Sequence, residues 1–326
     1  MSETMSQREY CENVFNYMAS DCTSSLLRNG LVKMQRDPAG DTASSQGIDI
    51  TSHTLKVQNA RLMEASQQPT CEKNGFELKT SPMPNEDLDF RDHNQVVRHY
   101  YDQCATLVEN VTGARAYAFD HNVRSATGKA GQESISGGQN VQGPAHLVHG
   151  DYTLRAAPDR LQQLSLPPSG NDTLRGILSD SLIPAEKAAA ALAGDTRFAI
   201  INVWRNIAPE PVATHPLALC DSQSVLPEDL IVFEIHYPDR IGENYFAKYS
   251  PRHQMYFYPL MRRDEVLLIK QWDSAGPLAR TRGAVSDGDQ PGPCTFSFHS
   301  AFEDPATPAD APDRWSIEVR CMVIYD

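Results

Sequence analysis

The chain lacks the short motifs that mark three common enzyme classes. Its 326 residues contain no Gly-x-Ser-x-Gly nucleophile elbow, no phosphate-binding loop ending in Gly-Lys-Ser or Gly-Lys-Thr, and no Gly-x-Gly-x-x-Gly dinucleotide fingerprint. Each of these motifs places a nucleophile or a bare glycine backbone where the chemistry needs it. Their absence argues against hydrolase, kinase and nicotinamide-dependent functions.

Concentrated positive charge is also missing. The chain has 29 Lys and Arg residues against 42 Asp and Glu residues, a net charge of −13, and its longest basic run is Arg262-Arg263. Nucleic acids and anionic membranes attract proteins through clustered positive charge. We therefore expect a small-molecule substrate, and neither nucleic acid nor a membrane as a partner.

Long apolar runs and paired cysteines are lacking as well. No apolar stretch approaches the length of a membrane span, and Met1 to Glu9 lack the apolar core of a secretion signal. The seven cysteines are odd in number and form no Cys-x-x-Cys pair, which argues against a zinc site, a redox dithiol or a disulfide framework. Reduced thiols and a cytoplasmic location are the expectation.

Strand-forming segments dominate the second half of the chain. From Arg197 onward, short runs rich in β-branched and aromatic residues are separated by turns. The predicted strands are Arg197–Trp204, Leu230–His236, Asn244–Tyr249, His253–Tyr258, Glu265–Trp272, Cys294–Phe298 and Trp315–Tyr325. Strands of this length and spacing indicate a sandwich, a jelly roll or a barrel.

The segments before them are more varied. Apolar residues at helical spacing predict an amphipathic helix over 94–111 that ends at Gly113, followed by a strand over 114–124. Ser125 to Gly143 is rich in Gly, Ser and Gln, which predicts a mobile loop. This loop is either a lid over a neighbouring site or a surface connection without a role.

No sharp change of composition divides the chain. We expect a single domain, 1–326, with a peripheral N-terminal region over 1–75 and a barrel core over 114–326. Helical segments predicted over 154–193 are insertions into that core.

The last predicted strand alternates in polarity. Its apolar residues from Trp315 to Tyr325 lie on one face, and Arg314, Ser316, Glu318 and Arg320 lie on the other. A double-stranded β-helix accommodates this pattern because helices cover its outer face and a polar cavity occupies its centre. The prediction is a mainly β fold with peripheral α-helices and a double-stranded β-helix core of the jelly-roll, cupin-like type.

One histidine and one carboxylate are placed to share a metal ion. His149 and Asp151 are two residues apart in an extended segment, so their side chains share one face of a strand. With His299 as a third ligand they match the 2-His-1-carboxylate set of non-haem iron sites. Strand alternation turns His146 to the opposite face, which makes it a non-ligand. About one His-x-acid sequence is expected by chance from ten histidines and 42 acidic residues, so this pair alone does not separate a metal site from structural side chains.

Several longer motifs carry a family resemblance from about Gly75 to the C-terminus. They are Asn202-Val-Trp-Arg-Asn206, the segment Pro211 to Asp221, Tyr249-Ser-Pro-Arg-His-Gln-Met-Tyr-Phe-Tyr-Pro259 with Asp264-Glu-Val-Leu-Leu268 and Asp273-Ser274, His299-Ser-Ala-Phe-Glu-Asp-Pro305 and Ser316-Ile-Glu-Val-Arg320. In this order they resemble the AsaB-like hydroxylase/desaturase family, which includes fungal secondary-metabolism enzymes, gibberellin desaturase and relatives of the cephalosporin methoxylase component. The chain departs from the family at Gln254-Met255 and in the long loop before His149.

The resemblance implies a dioxygenase that depends on Fe(II), 2-oxoglutarate and O2. It implies that His149, Asp151 and His299 are the iron ligands. The co-substrate carboxylate requires a guanidinium on the last strand, which either Arg314, with Ser316 beside it, or Arg320 supplies. The candidate substrate-binding residues are Arg124, Arg205, Asn202 and His121, and each arginine has the alternative of pairing with acidic neighbours.

The expected reaction is oxidation of an unactivated C–H bond in a small carboxylate-bearing metabolite. The resemblance allows hydroxylation, desaturation or oxidative ring closure, including aziridine formation from an amino acid, in fungal secondary metabolism. A cupin-like binding or accessory protein that kept the barrel without the chemistry is the alternative, because a fold alone does not determine function.

Overall fold

The computed structural model describes residues 7–36, 42–83, 85, 87–170, 172–237 and 240–326. Its strands are β1 Tyr10–Met18, β2 Lys33–Arg36, β3 Thr42–Gln46, β4 Ile50–Asn59, β5 Phe76–Thr80, β6 Arg115–Arg124, β7 His149–Gly150, β8 Phe198–Asn206, β9 Leu217–Cys220, β10 Leu230–His236, β11 Ile241–Ala247, β12 Met255–Phe257, β13 Glu265–Asp273, β14 His299–Ala301 and β15 Ser316–Ile324. Its helices are α1 Tyr101–Thr112, α2 Ala126–Ala130, α3 Ala156–Leu164, α4 Ala185–Ala193 and α5 Pro277–Arg280. Short helical turns lie at His93–Gln95, Val96–Tyr100 (a π-turn), Ala60–Leu62, Ala65–Gln67, Ser222–Ser224 and Pro227–Asp229.

Two sheets contain all of these strands. The larger runs β1-β4-β12-β9-β14-β7-β11-β10-β2-β3, and the smaller runs β5-β13-β8-β15-β6. One apolar cluster joins them, since it includes Tyr245 and Phe298 from the side of the larger sheet and Ile200 and Met322 from the smaller sheet. This arrangement confirms the predicted mainly β fold with a double-stranded β-helix core.

The smaller sheet is covered by a helix on its outer face. Val203 and Val319 of that face pack in one apolar cluster with Cys104 and Val108 of α1. On the inner face of β15 the residues change from polar to apolar at Met322. The two sheets therefore enclose an apolar core at one end of β15 and a polar region at the other, as the inverted alternation of this strand predicts.

The predicted helix over 94–111 is confirmed, with one irregularity. His93–Gln95 begins it under a cap in which Asp92 accepts hydrogen bonds from two backbone amides, and a π-turn separates this start from α1. Gly113 ends α1 with a left-handed backbone angle, φ 69°, which a glycine adopts without steric cost.

Part of the region expected to be peripheral lies inside the larger sheet. β1 pairs with β4 along its whole length, and Phe15 and Tyr17 of β1 are buried in the cluster between the sheets. Of the region over 1–75 that was expected to be peripheral, β1 and β4 are therefore the first two strands in the order of the larger sheet. Residues 1–6 and 37–41 of that region lie outside the described residues.

The strand predicted over 294–298 also differs from the structure. Residues 294–298 form no ladder: the amides of Cys294, Thr295 and Ser297 bond to the Glu72 carbonyl, the Asp287 carboxylate and the Lys270 carbonyl, which belong to three separate segments. The strand in this region is β14, which begins at His299.

The predicted mobile loop over 125–143 has a defined conformation. It contains α2, whose first turn is capped by the Ser125 hydroxyl, and it buries Ile135 and Val141 in the cluster beneath α1. In the described part of the chain, no helix is long and apolar enough to span a membrane, and all seven cysteines are free thiols.

Candidate metal centre

His149 and His299 face each other across two neighbouring strands. β7 and β14 are antiparallel, the two histidines are partners in register, and their ring centroids are 4.4 Å apart. Asp151, which follows β7, has Oδ1 3.7 Å from His149 Nε2 and 4.0 Å from His299 Nε2. One ligand atom from each of the three residues lies within 4.8 Å of the other two. This donor set, two imidazoles and one carboxylate on one side of a cavity, fits a non-haem iron ion.

Gly150, between the ligands His149 and Asp151, lies where the strand packs closely against an aromatic ring. Strand alternation puts His149 and Asp151 on one face and position 150 on the other. A Cβ at Gly150 would lie 3.0 Å from Cδ2 of Phe296, which packs against that face. The glycine therefore lets the strand lie directly on the aromatic core.

The histidine rings are prepared for metal binding. Nδ1 of His149 donates to the carbonyl of Leu147 at 2.7 Å, which leaves Nε2 as the unprotonated nitrogen. Burial, together with the neighbouring His299 ring, lowers the pKa of His149 to about 4. Burial also lowers the pKa of His299 below its ordinary value. Both imidazoles are neutral at neutral pH, which is the form that binds metals.

The Asp151 carboxylate is held by residues of the smaller sheet. Its Oδ2 accepts hydrogen bonds from Asn202 Nδ2 at 3.0 Å and Arg320 Nη2 at 3.4 Å, and its backbone N–H donates to Gln271 Oε1 at 3.1 Å. Burial alone would raise the pKa of Asp151, but the charge of Arg320 outweighs it and lowers the pKa below its usual value. The carboxylate is therefore ionised, and Oδ1 remains free to face the two histidines.

A bulge positions Gln271. The register between β13 and β8 shifts between Lys270 and Trp272, so that Gln271 is the extra residue. Bulges turn a side chain away from the ordinary alternation, and they occur often beside active sites. Here the bulge brings the Gln271 amide to the backbone of Asp151.

Several buried polar atoms around these residues have no hydrogen-bond partner among the described residues. They are Asn202 Oδ1, Gln271 Nε2, His299 Nδ1, Arg314 Nε and Ser316 Oγ. Buried polar groups are nearly always satisfied in folded proteins. Buried polar atoms without a protein partner are the atoms that a bound polar ligand or an ordered water molecule satisfies.

The two arginines proposed for the co-substrate have different surroundings. Arg320 forms ion pairs with Asp120 at 3.0 Å, Glu318 at 3.2 Å and Asp151 at 3.4 Å. Arg314 has no ion pair with a described carboxylate; it donates to the His215 carbonyl and lies over the Trp204 ring at 5.7 Å. The donors of Arg320 are thus occupied by carboxylates, and those of Arg314 are not.

Two of the four residues predicted to bind substrate point away from the cavity. Arg205 donates to Tyr100 Oη at 2.8 Å and to two backbone carbonyls, and His121 Nδ1 lies 2.8 Å from Tyr101 Oη. Both tyrosines belong to the helical segment on the outer face of the smaller sheet. Arg205 lies three positions after the inward Asn202 on β8, an odd offset, so alternation sends the two side chains to opposite faces. Arg205 and His121, which were predicted to bind substrate, therefore contact the helical segment on the outer face of the smaller sheet.

The other two lie on the inner side. Asn202 contacts Asp151 rather than open space, and half-buried Arg124 donates to the Gly143 carbonyl at 2.8 Å. Sequence reasoning did not single out Asp120, Glu318 or Gln271. The alternation of β15 already placed Glu318 beside Arg320, but no sequence signal shows the bulge that aims Gln271.

A cavity of about 550 Å³ borders Asp151 of the candidate metal site. Arg320, Tyr152, Arg160 and Tyr237 are among the other residues that line it. It is large enough for a small metabolite and carries charged side chains of both signs.

A double-stranded β-helix with two histidines and one aspartate at a central cavity defines the class of cupin-like non-haem metalloenzymes. Residues 15–324 match a family model described as an oxidoreductase/YMDC permease-like domain. The chain belongs to this family, and with it to the hydroxylase/desaturase group that the motifs resemble.

The similar proteins come from fungi and a bacterium. The chain is 29% identical over 323 residues to the Fe(II)/2-oxoglutarate-dependent dioxygenase nvfI of Aspergillus novofumigatus, covering 97% of each chain. It is 30% identical over 285 residues to the alpha-ketoglutarate-dependent dioxygenase phiK of a fungal species, covering 86% of each. An uncharacterised protein of Methylophilus leisingeri is 39% identical over 199 residues, 60% of this chain and 90% of that one.

A solved structure has the same fold. The iron and alpha-ketoglutarate-dependent endoperoxidase NvfI superposes with a TM-score of 0.73 over 98% of this chain and 99% of the other, at 24% identity. The fold therefore extends over nearly all of both chains.

Proposed function

We propose that this protein is a non-haem Fe(II)- and 2-oxoglutarate-dependent dioxygenase that oxidises an unactivated C–H bond of a small carboxylate-bearing metabolite. The observation that carries the proposal is the set of His149, Asp151 and His299, whose ligand atoms converge within 4.8 Å in the fold of this oxygenase family. The cofactors are Fe(II), 2-oxoglutarate and O2.

His149 Nε2, Asp151 Oδ1 and His299 are the residues that would hold iron. When bound, iron supplies the activation of O2, coupled to oxidation of 2-oxoglutarate to succinate and CO2, and the removal of hydrogen from the substrate. The protein orients the metal ligands. The Leu147 carbonyl fixes the tautomer of His149. Asn202 and Arg320 hold one oxygen of Asp151, so that the other faces the histidines.

Arg314 and Ser316 are the proposed anchor for the distal carboxylate of 2-oxoglutarate. Arg314 is 3% exposed, its Nε is unpaired, and Ser316 Oγ is also buried and unpaired. A carboxylate satisfies both donors with charge-assisted hydrogen bonds. Arg320 already pairs with three carboxylates, so its proposed part is to position Asp151 rather than to bind the co-substrate.

Arg124 is the proposed contact for the carboxylate of the substrate. It shares the inner face of β6 with Asn122, a residue of the cavity lining, and only Nη1 of its guanidinium has a described hydrogen bond. A substrate carboxylate bound there lies beside the metal-binding residues. Hydroxylation, desaturation and oxidative ring closure, including aziridine formation, all begin with the same loss of hydrogen, and substrate positioning selects among them.

The wider setting of the enzyme is also a proposal. A single domain is supported by the larger sheet, in which β4 lies beside β12 and β2 lies beside β10, so strands from the two halves of the chain pair with each other. A cytoplasmic location is supported by the seven free thiols, since oxidising compartments favour disulfides. Membership in a family of metabolite oxygenases supports a role in fungal secondary metabolism and a small molecule, rather than nucleic acid, as the partner.

The test is anaerobic addition of Fe(II) and 2-oxoglutarate to the metal-free protein. We expect a visible charge-transfer band that is lost in His149→Ala and His299→Ala, with both variants retaining the wild-type circular dichroism. His99→Ala, at an exposed histidine, is the matched control and should keep the band. A wild-type protein that gives no band and forms no succinate with a panel of carboxylate substrates would be a binding protein on this fold, and the proposal would fail.

A further inference from the structure

A second group of metal-ligating side chains lies outside the proposed iron site. It consists of His146, His215 and Glu303, and one ligand atom from each lies within 4.8 Å of the other two. The two groups share no residue. His146 precedes β7, His215 precedes β9 and Glu303 follows β14, so three separate segments meet at this point.

The donor set matches a borderline divalent cation of the zinc class. Two neutral imidazoles and one carboxylate are common zinc ligands, with the fourth position left to water. A cation about 2.0–2.2 Å from each donor holds the donors about 3.3–3.6 Å apart. Glu303 is exposed and half-buried His146 is not held in a strand, so small side-chain rotations close the remaining gap.

His215 carries features that point to a missing ligand. Its Nδ1 is buried and has no hydrogen-bond partner among the described residues. Its ring stands edge-on to that of His146, with the centroids 5.2 Å apart. Its backbone has φ 45°, an uncommon angle for a residue other than glycine. The chain holds this residue with its ring beside His146, yet no group in the described part of the chain satisfies Nδ1.

The charges that line the cavity favour a cation. The three side chains line a cavity of about 790 Å³ whose described lining includes the carboxylates of Glu12, Glu303 and Asp304 and no lysine or arginine. Arg8 pairs with Asp304 at 2.8 Å, which leaves Glu12 and Glu303 as the carboxylates without an ion pair among the described residues. A cleft lined with one sign of charge raises the local concentration of the opposite ion.

We infer that His146, His215 and Glu303 form a second site, which binds a zinc-class divalent cation and fastens together the segments before β7, before β9 and after β14. Two of these strands, β7 and β14, carry the histidines of the first site. The carbonyl of His215 also accepts a hydrogen bond from Arg314. The cation therefore stabilises the chain segments on which the first site is built, without sharing a ligand with it.

The test counts zinc bound to the metal-free full-length protein by equilibrium dialysis and elemental analysis. We expect two equivalents for the wild type and one for the double variant His149→Ala/His299→Ala, which leaves only the second site. Adding Glu303→Gln or His146→Gln to that double variant should leave none. His99→Gln, at an exposed histidine, should bind as much zinc as its parent and so excludes adventitious surface binding.

The two assignments fail in distinguishable ways. If the double variant still binds two equivalents, the first site is wrong, and the second stands as long as Glu303→Gln removes one. If Glu303→Gln and His146→Gln each bind as much zinc as their parent, the second site is overturned. Glu303 is exposed, so Glu303→Gln should keep the metal-free melting temperature and lose only the increase that zinc produces.

Discussion

Asn202 and Asp151 are joined by a hydrogen bond of 3.0 Å between the side-chain amide and Oδ2. Asn202 lies on β8 in the smaller sheet, whereas Asp151 follows β7 in the larger sheet. The bond therefore connects the two sheets at the proposed iron site. Because Oδ2 is held, the direction of Oδ1 toward His149 and His299 is fixed before any metal binds.

Asn202→Ala should weaken iron binding without unfolding the protein. Residues that orient a metal ligand typically contribute about 10–100-fold to metal affinity, and Arg320 remains to hold Asp151. The measurement is the Fe(II) dissociation constant under anaerobic conditions, with Asn94→Ala at an exposed asparagine as the control. Unchanged iron affinity in Asn202→Ala would mean that Asp151 is oriented by other contacts.

Arg314→Lys should weaken binding of 2-oxoglutarate, whereas Arg320→Lys should weaken binding of iron. A lysine cannot make the paired bonds of a guanidinium. We expect Arg314→Lys to raise the KM for 2-oxoglutarate by about tenfold or more, equal to about 1.4 kcal/mol, with iron affinity unchanged. Arg320→Lys should reduce iron affinity because it loosens Asp151. The reverse pattern, measured by titrating both ligands into both variants, would assign the co-substrate to Arg320.

Gly150→Ala should destabilise the fold through the aromatic core. The new methyl group would lie 3.0 Å from Phe296 Cδ2, so the ring or the strand must shift. Overpacking of this kind costs about 1–3 kcal/mol, which urea unfolding measures. Gly143→Ala is the matched control, since its nearest contact would be Lys129 Cγ at 3.6 Å. Equal stability of the two variants would show that the strand moves freely away from Phe296.

The sequence was informative where alternation and side-chain chemistry coincide. The polar face of the last strand predicted an inward row from Ser316 to Arg320, and Arg320 indeed contacts Asp151. The spacing of His149 and Asp151 likewise predicted a shared face. These inferences depend only on the period of a strand, which the backbone geometry guarantees once the strand forms.

The errors came from features that depend on distant parts of the chain. β1 does alternate, since Cys11, Phe15 and Tyr17 are buried, but Asn13 on the same buried face interrupts the apolar pattern. Residues 294–298 look like a strand, yet Asp287 and two other segments take their amides. Which partner a backbone amide finds is decided by tertiary structure, and strand propensity alone cannot reveal it.

Arg205 lies on the outer face of the smaller sheet and Arg124 on the inner face, so their substitution should have different effects. Buried Arg205 donates to the carbonyls of Ser81 and Arg263 and to the hydroxyl of Tyr100, all outside the cavity. Arg205→Ala leaves these buried acceptors unsatisfied, at about 1–3 kcal/mol each, so we expect a loss of about 3 kcal/mol or more in the free energy of unfolding. The KM for substrate should not change in the fraction that folds.

Arg124→Ala should have the opposite effect: a small loss of stability and a large rise in the KM for substrate. It removes one hydrogen bond, to the Gly143 carbonyl, so the free energy of unfolding should fall by only about 1 kcal/mol. The KM for a carboxylate substrate should rise tenfold or more, because a charge-assisted bond to the substrate is lost. Methyl esters of the same substrates separate the two explanations: the wild type should bind an ester as weakly as Arg124→Ala binds the acid. If Arg124→Ala discriminates acid from ester as well as the wild type does, another cation recognises the carboxylate.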